Sequence, residues 1–245
     1  MSDFLDYSLW ITPGCLLLGL LFYLLPKKTI LAKVFILIFG FILVRDSMTR
    51  FEFWEFGVTS DVLWMRFIED GLILSLMGLV SLVLALGLYW VLGDWRLYIQ
   101  WWGKNRYLSV LAGISGAGVV IAPFIWLYQG LPVVSRGGLV PLNLLAVLLM
   151  FAISGNFLEE LLFRGYLQGY LATFVAPGRA AILSALLFGA GHLFLAYTVT
   201  DLAWPVIVFT LYERRICSLV GWKYGVLAST LTHGLAIFAL ASGIL

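Results

Sequence analysis

Only two histidines occur in the 245-residue chain, His192 and His233, and both fall inside apolar runs. A third group of ionisable residues closes another apolar run, in the stretch Gly155-Asn156-Phe157-Leu158-Glu159-Glu160-Leu161-Leu162-Phe163-Arg164-Gly165. Two adjacent carboxylates at the end of a membrane helix cost at least about 2.5 kcal/mol each to insert, so they need partners. On a helix Glu160 and Arg164 are four residues apart and share a face, which predicts an ion pair. Glu159 points about 100° away from Glu160 and has no partner on its own helix. The spacing therefore makes Glu160 and Arg164 a structural pair and leaves Glu159 as a free carboxylate, suited to general-base work. Taken alone, these acids read equally well as a helix end facing headgroup water, with Arg164 as a surface partner.

The histidines shift that balance. His192 sits in Leu187-Phe188-Gly189-Ala190-Gly191-His192, and His233 in Ser229-Thr230-Leu231-Thr232-His233-Gly234. The small neighbours Gly189, Gly191 and Gly234 let another helix come close to each imidazole. A lone buried histidine is more often a satisfied polar contact than a catalyst. Two of them, together with an acid pair, point to acid–base chemistry inside the bilayer, where ionisable residues are functional candidates by default. Two His and one or two Glu also have the donor types of a divalent-metal site with an open water position. No His-Glu-x-x-His pattern is present, so metal is the minor reading, and no cofactor is expected.

The elements that must position these residues are membrane helices. Hydrophobic residues make up 62% of the chain and charged residues 11%, against about 25% charged in a soluble domain. The mean hydropathy is +1.03. Bilayer is the solvent such a composition fits, and the net charge of +2 carries no basic block that would suggest nucleic acid. Eight apolar runs read as spans, at 8–25, 30–44, 71–92, 107–128, 139–157, 179–197, 203–220 and 224–244, which predicts an all-α, polytopic transmembrane bundle. The seventh is the weakest, because Glu213, Arg214 and Arg215 fall inside it, and these are read as snorkelling to the interface. The stretch 45–70, rich in Phe and Trp and of mixed charge, is read as lying along an interface, with substrate recognition as a second reading. Lysines and arginines concentrate in the odd-numbered loops, which places those loops in the cytoplasm and both termini outside. At 1.5 Å per residue, His192 lies roughly 20 Å and His233 roughly 15 Å into their spans, compatible with Glu159 at the far end of its own. Cys15 and Cys217 are too few and too distant for a disulfide framework. No feature sets an oligomeric state.

Glu159-Glu160-Leu161-Leu162-Phe163-Arg164, Phe188 with His192 four residues later, and then His233 resemble the three motifs of the CPBP family. That family covers CAAX-type prenyl-protein proteases and bacteriocin-processing enzymes, and is also called the ABI family. The resemblance covers about 139 to 240 and divides the chain into a CPBP-like catalytic core at 139–245 and N-terminal helices of unassigned role over 1–130. It implies a glutamate-dependent intramembrane endopeptidase in an integral, multi-pass protein of a prokaryotic plasma membrane, acting on a membrane-associated protein or peptide. Glu159 would activate water with help from His192, His233 would donate to the oxyanion, and Glu160 and Arg164 match the second acid and the arginine. The family's third motif usually has Asn or Asp four residues after its histidine. Here that position is Ile237, which donates nothing; losing one oxyanion donor costs about 100- to 1000-fold in other enzymes. Asn156, one turn before the acids, and Ser229, one turn before His233, are the candidate substitutes, although both read more readily as polar helix contacts. Ile237 also motivates the alternative of a non-catalytic membrane scaffold or maturation partner. A proton-coupled transporter is disfavoured by the lack of inverted repeats. The extra N-terminal part suggests a specialised branch, handling C-terminal processing or sorting of membrane-anchored proteins.

Overall fold

The computed structural model describes residues 2–60, 62–193, 195–200, 202 and 204–245. Phe194 and Ala203, within the sixth and seventh expected spans, lie outside them. Each of the eight expected spans coincides with a helix. They are α1 (Ser2–Leu24), α2 (Ile30–Arg50), α3 (Gly71–Val91), α4 (Arg106–Leu127), α5 (Leu145–Glu160) with its continuation α6 (Gln168–Leu171), α7 (Pro177–Gly191), α8 (Trp204–Tyr224) and α9 (Val226–Ser242). Local sequence sets several boundaries. The Asp70 side chain accepts from the backbone N–H groups of Leu72 and Ile73 at the start of α3, and Asn105 caps α4 by accepting from Leu108. Pro177 opens α7, where its missing N–H costs nothing, and Gly243 ends α9 at φ 77°.

Five segments among the described residues are long and apolar enough to cross a bilayer: Asp3–Leu24, Gly71–Val91, Arg106–Leu127, Leu142–Leu171 and Pro177–Tyr197. With these spans the chain is an integral, multi-pass membrane protein with a helical-bundle fold. α2 and α8 carry charges along their length, and α9 has 17 residues, roughly 25 Å. Helix α9 is the centre of the bundle, with thirteen of its residues buried between α4 and α5. Small residues make that possible. A Cβ on Gly113 would lie 2.8 Å from the Ala228 carbonyl oxygen, and Thr232 of α9 donates to the Gly113 carbonyl at 3.1 Å.

The stretch 45–70, expected as an interfacial segment, has regular structure of its own. Helix α2 runs on to Arg50, and the chain then forms an antiparallel hairpin, β1 (Trp54–Thr59) and β2 (Val62–Phe67), with Trp54 opposite Phe67 and Thr59 opposite Val62. Leu63 and Met65 enter the core beside Phe124, Tyr128 and Leu240. Arg66, 6% exposed, locks the hairpin down: its guanidinium donates to the carbonyls of Gly138 (3.0 and 2.7 Å), Met65 (2.7 Å) and Leu240 (2.9 Å). Val62, Leu63, Met65 and Arg66 of β2 are buried against the core while Trp64 and Phe67 are half-buried, and β-branched and aromatic residues suit such a packed strand.

Candidate active site

Glu159 and Glu160 end α5, and the chain continues through Leu161–Leu167 as a π-helical turn before α6. Such turns widen the helix and re-aim the side chains that follow. Arg164 lies in this turn, and its Nε is 3.2 Å from Glu160 Oε2. Glu160 is 0% exposed and surrounded by partners: Arg214 Nη1 donates to Oε1 at 2.9 Å, the His233 Nδ1–H donates to the same oxygen at 3.1 Å, and the Ser229 hydroxyl donates to Oε2. Arg164 Nη2 also donates to the Arg214 carbonyl at 3.2 Å. The two guanidiniums flank Phe188, Arg214 lying 3.7 Å above its ring centroid.

Glu159 has a different setting. It lies at the polar end of a cavity of about 450 Å³, which Glu160 and Arg164 do not line. Its carboxylate sits between two cations, Arg45 Nη1 at 3.5 Å from Oε1 and Arg214 Nη2 at 3.6 Å from Oε2. Oε1 makes no aligned hydrogen bond with protein. His192 stands just past the end of α7, its ring stacked on Phe188 at 4.2 Å. His192 Nδ1–H donates to the Phe188 carbonyl at 3.0 Å, which assigns Nε2 as the acceptor from Arg45 Nη1 at 2.6 Å. One nitrogen of Arg45 thus reaches both the free carboxylate and the imidazole.

His233, on α9, lies 3.9 Å from Glu159 Oε2. Arg214 lies against both ring nitrogens, Nη1 2.8 Å from Nδ1 and Nη2 beside Nε2; in the tautomer with Nδ1–H directed to Glu160, Nε2 is the acceptor from Arg214. Both ring nitrogens are engaged within the protein. Ile237, one turn further along α9, presents an apolar surface to the cavity. Asn156 also lines the cavity, with its side-chain amide donating to the Ala152 carbonyl at 2.6 Å. Ser229 does not line it; its hydroxyl lies against Glu160 and 2.9 Å from the Cys217 carbonyl.

Three residues of this site carry no motif signal. Arg45 belongs to α2, pairs with Asp46 at 2.7 Å and is 7% exposed, although its place at the end of an apolar run suggested a loop. Glu213 and Arg214, read as snorkelling to an interface, are 2% and 3% exposed inside the bundle. Burial of the α8 charges is stable because each meets an opposite charge: Arg214 contacts Glu159, Glu160 and Glu213. The usable signal was adjacent charged residues in or at the end of an apolar run, Arg45-Asp46 and Glu213-Arg214 as opposite charges where Glu159-Glu160 are like charges.

The remaining cavity walls are apolar. Tyr7 and Ile11 come from α1, Phe41 and Met48 from α2, Phe56 and Met65 from the hairpin, Met77 and Leu84 from α3. Among the described residues, no three His, Cys, Asp or Glu side chains converge as a metal-binding group.

Comparison with known proteins accords with this arrangement. No curated protein and no solved structure matches the chain. Residues 141–239 match the family model described as type II CAAX prenyl endopeptidase Rce1-like, a segment that holds both glutamates, Arg164, both histidines and Arg214. Residues 141–239 are thus an Rce1-like segment that matches the CAAX-protease, or CPBP, family.

Proposed function

We propose that this protein is a glutamate-dependent intramembrane endopeptidase that hydrolyses a peptide bond of a membrane-associated protein or peptide. The observation that carries the reading is the contrast between neighbouring carboxylates. Glu160 is enclosed by cations and donors, whereas Glu159 lines a cavity and its buried Oε1 has no aligned hydrogen bond with protein. In the proposed reaction Glu159 takes a proton from a water, and His192 Nε2 becomes the second acceptor that orients it once Arg45 Nη1 turns away from the imidazole. Glu160, Arg164 and His233 hold Arg214 beside Glu159. His233 then acts by holding the Arg214 charge beside Glu159, instead of donating directly to the oxyanion. The aromatic and Met walls suit a substrate with a lipid or apolar tail, which would set the scissile bond over the polar end. The N-terminal helices supply part of these walls, which fits a specialised substrate such as a membrane-anchored C-terminus.

The test is cleavage by the purified protein in proteoliposomes of a quenched fluorescent, farnesylated peptide ending in Cys-aliphatic-aliphatic-X. Mass spectrometry of membrane-protein C-termini in cells with and without the protein would run in parallel. Glu159→Gln and His192→Ala are each expected to lower turnover by at least about 100-fold. Normal processing by both variants would defeat the reading. Ile237 in the cavity supports a second reading, a non-catalytic scaffold, which predicts that Glu159→Gln keeps function while packing variants on α9 lose it. Metal-free chemistry is part of the proposal, because two guanidinium charges against Glu159 oppose a dication there. A chelator should leave cleavage unchanged.

A further inference from the structure

We propose that Arg45, on a helix outside the family-matched segment, is a catalytic residue that hydrogen-bonds the oxyanion formed at the scissile carbonyl. This rests on the endopeptidase reading. The argument is one of geometry and of which donors remain. Both histidine N–H groups are directed to protein acceptors, His192 to Phe188 and His233 to Glu160. The Asn156 amide donates to Ala152, and Ser229 faces Glu160 outside the cavity. Ile237 has no donor. Arg214 is held by Glu160 and His233. Arg45 remains. It lines the cavity, Asp46 holds its far side through a hydrogen bond from Nε at 2.7 Å and an ion pair with Nη2 at 2.7 Å, and its Nη1, 3.5 Å from Glu159 and 2.6 Å from His192, is the nitrogen at the polar end.

The attacking water sits on Glu159 and His192, and a carbonyl oxygen becoming negative lies about one hydrogen bond from the same place. A guanidinium presents several N–H groups in a rigid fork, so Arg45 can turn one to the oxyanion while Asp46 holds another. In the step, Glu159 removes one proton from water, the water oxygen bonds to the carbonyl carbon, and the C=O π pair moves onto oxygen. Arg45 donates a hydrogen bond and keeps its proton. The pair then returns, the C–N bond breaks, and the proton on Glu159 passes to the leaving nitrogen, giving an amine and a carboxyl group.

The experiment measures kcat and KM on the farnesylated probe peptide in proteoliposomes for Arg45→Met, Ile237→Asn, the double variant and Glu159→Gln, each checked for thermal unfolding. Arg45→Met should lower kcat about 100- to 1000-fold with KM within about threefold. Because position 237 faces the same cavity, Ile237→Asn in the Arg45→Met background should return at least about tenfold of kcat, which a purely structural Arg45 would not allow. If Arg45→Met does not fold, Arg45→Lys decides, with a reduced kcat that Ile237→Asn recovers. A folded Arg45 variant with unaltered kcat, or a loss that Ile237→Asn does not repair, overturns the assignment. If Glu159→Gln is inactive while Arg45 variants are normal, this inference alone fails. If the unmodified protein leaves the probe uncut, or Glu159→Gln cuts it, the endopeptidase reading fails and takes this inference with it.

Discussion

Replacing Glu160 with Gln removes the carboxylate that Arg164, Arg214 and His233 share, and leaves two buried guanidiniums short of an anion. Breaking a buried ionic cluster from one side costs about 3–5 kcal/mol. Glu160→Gln is therefore expected to lower the unfolding midpoint in detergent well below that of Glu159→Gln, whose carboxylate makes only ion-pair contacts beyond hydrogen-bond range. Equal unfolding midpoints for the two variants would contradict this division. At this scale the sequence was informative where helix geometry alone decides, as with the four-residue step from Glu160 to Arg164. It was silent about Arg45 and Arg214, whose partners lie far away in the chain. Nothing in the apolar run before Arg45 says that it meets Glu159 and His192, because that contact is made by tertiary packing.

The hairpin is the element least legible in the sequence. Its Trp and Phe residues carry the composition of an interfacial anchor, and Val62–Phe67, apolar apart from Arg66, has no polar–apolar alternation to mark a strand with one buried face. The helices, by contrast, were legible because lipid forces every backbone group to be satisfied within its own segment. Arg66 explains why the hairpin stays in place. Arg66→Ala strips charged donors from the carbonyls of Gly138 and Leu240 and should destabilise the protein by about 2–4 kcal/mol. Limited proteolysis should then cut first within 51–70. An unchanged cleavage pattern in a folded Arg66→Ala protein would show that the pin is unnecessary. The π-helical turn at Leu161–Leu167 was also unreadable, since its residues suit an ordinary helix.

For the molecule as a whole, the cavity joins the family-matched segment to the helices before it. Cys15 of α1 lines this cavity and is partly exposed, whereas Cys217 is 0% exposed. N-ethylmaleimide should therefore modify Cys15, occupy the apolar end and slow cleavage severalfold, while Cys15→Ser protein stays insensitive. Inhibition that persists in Cys15→Ser would separate the cavity from the reaction. The N-terminal helices were assigned no role from sequence, because a wall of Phe, Met and Leu looks the same whether it faces lipid or a substrate. The volume of that wall-lined space also limits reactant supply. About 450 Å³ holds on the order of 15 water molecules at roughly 30 Å³ each, and a long apolar substrate displaces most of them. Hydrolysis consumes one per turnover, so a peptide that fills the chamber completely would arrive without its co-reactant. The best binders should then be poor substrates.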